Sequence, residues 1–190
     1  MAVTAVTGDI GSGKSTGAKI LARLLGCTCL DADVIAKGCW ELDGVKAQAV
    51  NRWGKSILGQ SGEIIRAAIA ERIFSAKSEH DFCSALIHPI VMAKLRELTR
   101  NVDAVVEIPL LPETGRQGWI SKAVYFCAPF EIREQRCRAQ RGWSTDELRR
   151  RESFLLPQNV RMSVCDYVIR NDGSLEDLEQ QLQSIIQEVT

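Results

Sequence analysis

Short apolar runs alternate along this chain with longer stretches whose apolar residues keep helical spacing. Five runs have strand length and are rich in β-branched residues: Ala2 to Thr7, Cys27 to Leu30, Asp103 to Ile108, Ala123 to Cys127, and Tyr167 to Ile169. Their apolar character is mostly unbroken, the pattern of strands buried on both faces. Between them, Ala18, Ile20, Leu21, Leu24 and Leu25 form one helical stripe. Leu175, Leu178, Leu182, Ile185, Ile186 and Val189 form another, behind a capping-box-like start at Ser174 and Asp177. This alternation predicts an α/β fold with a parallel sheet covered by helices. Two intervals exceed what a simple crossover needs. Residues 34–101 are mostly helical, with Ile64, Ile65, Ile69 and Ile73 on one repeat and a longer helix from about His80 to Thr99. Residues 131–165 hold an arginine-rich stretch. Ligands of such sheets collect at the C-terminal strand ends.

The first strand end carries the strongest motif. Gly8-Asp9-Ile10-Gly11-Ser12-Gly13-Lys14-Ser15 fits G-x-x-x-x-G-K-[ST], the Walker A phosphate-binding loop. It joins a strand to a helix N-terminus, so the N–H groups of Gly11 to Ser15 can point at phosphate oxygens, helped by the helix dipole. Gly13 leaves room for close backbone approach. Lys14 reaches the β- and γ-phosphates, and the Ser15 hydroxyl suits Mg²⁺. A plain glycine-rich turn is the alternative, and the flanking strand and helix count against it. Gly17, in the first helical turn, costs roughly 0.5–1 kcal/mol relative to Ala, with no reason visible in the sequence.

The second strand ends in Leu30-Asp31-Ala32-Asp33. One carboxylate suits the orientation or deprotonation of an acceptor hydroxyl, the other the waters of Mg²⁺. Asp33 equally suits the N-cap of a helix beginning at Val34; the phosphate loop upstream favours the catalytic reading. Glu107 ends the third strand at a Walker B-like position, where an acid binds Mg²⁺ through water; a half-exposed acid at a strand end is the alternative. Arg133, Arg136, Arg138, Arg141, Arg149, Arg150 and Arg151 crowd one segment. Most such charges belong to solvated faces, yet guanidinium groups neutralise phosphoryl charge well. One or two functional arginines and a solvated remainder are expected, with Gly142-Trp143-Ser144 as a hinge and cap. His88-Pro89 begins or kinks a helix, and by itself reads as structural.

Composition narrows the setting. Lys plus Arg and Asp plus Glu both number 24, so nothing global recruits nucleic acid or an anionic membrane. No apolar stretch is long enough to span a bilayer, and no charged leader precedes the first strand. The seven cysteines are scattered, without C-x-x-C. They are expected to be reduced, buried thiols of a cytoplasmic protein.

In order, these residues resemble the dephospho-CoA kinase family. Thr7 to Thr16 is similar to its TGGIGSGKST, with Asp9 in place of a glycine. Asp31-Ala32-Asp33 matches its DAD. Trp53-Gly54, Gly62-Glu63-Ile64-Ile65-Arg66 and Ile73-Phe74 follow its next segments. Leu86-Ile87-His88-Pro89-Ile90-Val91 resembles LHPxV, and Pro109 to Glu113 resembles PLLFE with Pro112 for Phe. Gln135-Arg136 and Arg141-Gly142 match its lid, and Asp166 to Ile169 with Asn171 to Ser174 matches its closing ADxVIxNxGS. Leu155 stands where the family often has Gln, and Arg161 where it has Lys.

The resemblance implies a three-layer P-loop kinase fold on a five-stranded parallel sheet. Its core would be about 1–33, 102–130 and 165–190, with a helical acceptor-binding insert at about 34–101 and a lid at about 131–157. It implies transfer of the ATP γ-phosphoryl group to the ribose 3′-hydroxyl of dephospho-CoA, with Mg²⁺; a monomer is expected, with an oligomer left open. Asp33 would be the base. Lys14, Arg136 and Arg141 would act on the phosphates. Gly11, Ser12, Gly13, Lys14, Ser15, Thr16, Asn171 and Gly173 would hold ATP. Asp31, Arg66, His88, Glu113 and Arg161 would line the acceptor side, and Ser15 with Glu107 would hold the metal. Three alternatives stand beside this: a P-loop kinase of another small molecule, a nucleotide-binding switch, and a non-catalytic homologue. The absence of an N-K-x-D-like motif counts against a GTPase. Retention of Lys14, Ser15 and Asp33 counts against loss of catalysis.

Overall fold

The structure, a computed structural model, describes residues 1–189, with side chains to Ile186. They fall into two compact units, residues 1–31 with those from 95 onward and residues 32–94.

The first unit is built on β1 (Val3–Gly8), β2 (Thr28–Asp31), β3 (Ala104–Glu107), β4 (Lys122–Cys127) and β5 (Tyr167–Arg170). All pairings are parallel, in the order β2-β3-β1-β4-β5. The central β1 and β3 are buried along their whole lengths, which is why they read as unbroken apolar runs. The edge strands β2 and β5 are partly exposed and correspondingly more polar. The strand positions agree with the sequence expectation, with ends shifted by a residue or so.

α1 (Lys14–Leu25) and α10 (Leu175–Val189) pack on this sheet, with Leu21, Leu178 and Leu182 against Val6, Val124 and Phe126. Each fully buried side chain of this size contributes about 1.5–3 kcal/mol. Ser174 caps α10 as expected: its Oγ accepts from Asp177 N–H at 3.1 Å while Asp177 accepts from Ser174 N–H at 2.8 Å. Leu175 departs from the expected buried stripe, being 66% exposed, because it opens the helix and faces a surface cleft. The Val189 side chain lies outside the described residues.

Gly17 now has a reason. A Cβ there would stand 2.1 Å from Cε1 of the fully buried Phe126 ring, so glycine lets α1 press onto β4. Gly17→Ala is therefore expected to destabilise by about 1–3 kcal/mol, offset in part by helix propensity. A thermal melt should show a midpoint lower by several degrees; an unchanged midpoint would mean that the helix shifts freely.

The second unit holds α2 (Ala32–Cys39), α3 (Asp43–Trp53), a 3₁₀ turn, α4 (Arg66–Ile73) and α5 (Lys77–Leu98) as far as Lys94. Trp53 anchors it, 6.2 Å from the Trp40 ring and edge-on to Phe82 at 5.3 Å. Its indole N–H donates to Glu79 at 2.6 Å. Ile64 and Ile65 precede α4 rather than sharing its repeat; Ile64 is buried in a bridge to Leu58, and Ile65 is exposed. Pro89 lies inside α5 and does not begin it.

All seven cysteines are free, yet only Cys39 and Cys137 are fully buried. Even partial burial raises the thiol pKa, to about 12 at Cys83 and about 11 at Cys165.

Candidate functional site: a nucleotide cleft at the phosphate loop

β1 ends in a loop that turns through positive φ at Gly11 and Gly13 before α1 begins at Lys14. No side chain among the described residues caps this helix, so its first N–H groups are available to an anion. The loop is braced from the side. Asn171, just past β5, donates its amide N–H to Ser12 O at 2.7 Å. Arg136, on α7 (Phe130–Arg141), donates to Ser12 O at 3.3 Å and to Asn171 O at 3.1 Å. Gly13 is required twice over: its φ is 83°, and a Cβ would stand 2.3 Å from the Asn171 amide nitrogen.

These elements enclose a cleft of about 290 Å³. Its floor is Gly11, Gly13, Lys14, Ser15 and Thr16; Arg136, Gln140 and Arg141 form one wall, and Asn171, Gly173, Ser174 and Leu175 the other. The Ser12 hydroxyl is buried beneath it, with no hydrogen-bond partner among the described residues. A buried orphan of this kind costs about 1–3 kcal/mol. Gln140, Ser174 and Leu175 are not among the expected site residues: Ser174 reads as a helix cap and Leu175 as part of a buried stripe, while nothing local marks Gln140.

The Lys14 side chain lines the cleft yet is largely buried, 9% exposed, with Nζ 3.4 Å from Asp9 O. A loop that wraps around the ammonium shields it even while it lines the cleft. Ser15 donates its hydroxyl to Glu107 Oε1 at 2.8 Å. Glu107 is buried, and Asp31 is its register partner across the β2–β3 pairing.

The arginines sort by contact. Arg133 is buried, contrary to the expected solvated remainder. It donates to Ala128 O and Ile10 O at 3.0 and 3.2 Å and pairs with Glu152, so it ties α7 to the loop. Arg141 is exposed at the cleft edge, 4.8 Å from the Trp143 ring centre. Arg151 is half-buried against Glu147 and Trp143, while Arg138 and Arg150 make exposed pairs with Glu134 and Glu147. Gly142 ends α7 in a left-handed conformation, and Ser144 caps α8 (Thr145–Glu152).

On the side read as contacting acceptor, Glu113 accepts from Leu156 N–H at 3.2 Å through one oxygen, and its other is buried without a hydrogen-bond partner among the described residues. Arg161, on α9 (Gln158–Ser163), is buried and paired with Asp9 at 2.8 Å. Asp33, Arg66 and His88 belong to the second unit. Asp33 is exposed in the first turn of α2, which begins at Ala32, so it is not the cap of a helix starting at Val34. Arg66 is exposed at the start of α4. His88 is half-buried in α5, and burial lowers its pKa, favouring neutral imidazole.

A phosphate loop joining β1 to α1, an acid hydrogen-bonded to its serine, and two arginines on the cleft wall have the make-up of a phosphoryl-transfer site. Comparison with known proteins gives the same answer over nearly the whole chain. The family profile for dephospho-CoA kinase matches residues 2–177. The dephospho-CoA kinase of Thermus thermophilus is 34% identical over 192 residues, covering 99% of this chain and 92% of that protein. A crystal structure from Thermus thermophilus superposes with a TM-score of 0.81 at 33% identity, covering 100% of this chain and 98% of that one. The dephospho-CoA kinase structure from Campylobacter jejuni gives 0.69 at 25% identity, with 98% and 96% covered. With the site and the full-length likeness agreeing, this chain belongs to the ATP-dependent dephospho-CoA kinase family, enzymes of coenzyme A biosynthesis.

Proposed function

We propose that the cleft holds the phosphates of ATP and that the γ-phosphoryl group passes from it to the ribose 3′-hydroxyl of dephospho-CoA. The observation that carries this reading is the loop with its uncapped helix start, its lysine and its orphaned Ser12 hydroxyl lining or underlying one cleft. Loop N–H groups orient the phosphates, and Lys14 with Arg136 and Arg141 neutralises charge that develops on the moving group. Asn171 and Gly173 flank the nucleotide. Asp33 takes the hydroxyl proton, with Asp31, Arg66, His88 and Glu113 contacting the acceptor; family resemblance supports these roles. Arg161, engaged by Asp9, acts from behind the loop.

The Ser15 hydroxyl and the Glu107 carboxylate, with Asp31 beside it, fit a magnesium ion by donor type: hard oxygens and few of them. Among the described residues no group of three or more His, Cys, Asp or Glu forms a cage. That suits an ion that keeps waters and takes phosphate oxygens. When bound, it offsets the negative charge of the triphosphate.

Residues at about 34–101 serve as the acceptor-binding insert, and about 131–157 as the lid. The start of α7 is fixed to the loop through Arg133 and Arg136, so closure involves the segment beyond them. Arg141→Ala should lower turnover by about tenfold or more, and Arg150→Ala hardly at all, with little change in stability for either. Steady-state rates beside melts check this; equal mild effects would make the cluster an ordinary charged face. We take the enzyme to be a monomer. No described helix is long and apolar enough to cross a membrane.

The acceptor is tested by ADP release with ATP, Mg²⁺ and dephospho-CoA beside AMP, adenosine and gluconate. Dephospho-CoA should exceed the others in kcat/KM by about a hundredfold or more. Comparable turnover of another acceptor would overturn the assignment.

A further inference from the structure

Asp9 is the only acid in the phosphate-loop motif. It is 1% exposed, and every polar atom it carries is engaged. Its Oδ1 accepts from Tyr125 Oη at 2.6 Å and from Arg161 Nη2 at 2.8 Å, and its Oδ2 accepts from Gln158 Nε2 at 2.7 Å. Its N–H donates to Phe126 O at 3.0 Å. Its carbonyl accepts from Ser12 N–H at 3.2 Å and from the Lys14 ammonium at 3.4 Å. Arg161 is itself fixed, donating through Nε to Leu156 O at 2.9 Å, with its guanidinium 5.6 Å from the Tyr125 ring centre. Burial and the Asp9 carboxylate raise the Tyr125 pKa, so its hydroxyl stays a donor.

A buried ion pair of this kind is weak evidence for stability, because desolvation offsets the attraction. What it does supply is fixed geometry, and here it fixes a residue whose backbone oxygen meets the lysine of the phosphate loop. We infer that Asp9 is a positioning residue: Arg161, Tyr125 and Gln158 lock its carboxylate, and the locked backbone sets where the Lys14 ammonium stands. This makes α9 and β4 a rear support for the phosphate loop. The inference rests on the proposed contact of Lys14 with the phosphates.

The test compares Asp9→Asn, Tyr125→Phe and Lys14→Ala with the parent enzyme, reading kcat, acceptor KM, thermal midpoint and hydrogen exchange of the loop. Asp9→Asn keeps the shape but leaves the Arg161 charge unpaired. Its kcat should fall about tenfold or more with acceptor KM within about threefold, as expected when a group that acts on the phosphates is displaced. Loop amides from Gly11 to Lys14 should exchange faster. Tyr125→Phe removes one donor and strands no charge, so it keeps the fold. Its kcat should fall about threefold or more, again with acceptor KM unmoved. Lys14→Ala separates the two ideas. If it retains turnover, the phosphate-loop reading fails. If it loses turnover while Tyr125→Phe and folded Asp9→Asn keep parental kcat and loop exchange, Asp9 is only a structural pin and the inference is overturned. Should Asp9→Asn not fold, Tyr125→Phe decides between these outcomes.

Discussion

Lys14→Ala is expected to slow turnover by more than about a hundredfold in a protein that keeps its fold. Lys14 opens α1, and its side chain folds back over the loop to Asp9 O. That carbonyl also accepts from Ser12 N–H, so truncating the lysine does not strip it of partners. The structural loss should therefore stay near 1–2 kcal/mol, a few degrees in a melt. The catalytic loss is larger because the ammonium matters most when charge spreads over the transferring group. A residue acting in this way lowers kcat and kcat/KM together. Near-parental turnover by folded Lys14→Ala protein would remove the loop from the chemistry.

Asp33→Asn should cut the chemical step by about a hundredfold or more while ATP affinity stays within a few-fold. The amide is close to the carboxylate in shape but cannot take a proton. Asp33 is exposed in the first turn of α2, where a negative charge also favours the helix dipole by about 0.3–1 kcal/mol. Neutralising it removes that dipole contribution. Single-turnover rates beside melts distinguish the roles: a lost fraction of a kcal/mol with unchanged rate would leave Asp33 a helix-terminus residue.

The sheet and the phosphate loop were legible in the sequence because both are local signals. β1 and β3 are buried along their lengths, so their composition betrays them, and the loop's glycines, lysine and serine are contiguous. Contacts made across the chain were not legible. Asp9 looked like a departure from a glycine, and only folding brings Arg161 to it from 152 residues away. Arg133 read as one more solvated charge, yet it reaches Ile10 O and is buried. Leu175 kept the helical period, but period alone does not say which turn faces a cleft. The motif tells that Lys14 meets phosphate, but not how far the loop encloses it.

The two glycines of the loop and the helix it starts differ in how evolution can leave them. Gly17 has ordinary helical backbone, and the nearest atoms to a Cβ there all belong to the Phe126 ring. A smaller residue at 126 would open the position to alanine, so two successive substitutions provide a route away. Gly13 is held by backbone conformation and by the Asn171 amide at once. Trimming Asn171 removes the collision but leaves a left-handed φ, and it also takes away the brace on Ser12. No single compensating change releases Gly13, so lineages can be expected to drift at 17 with 126 while 13 and 171 are inherited together.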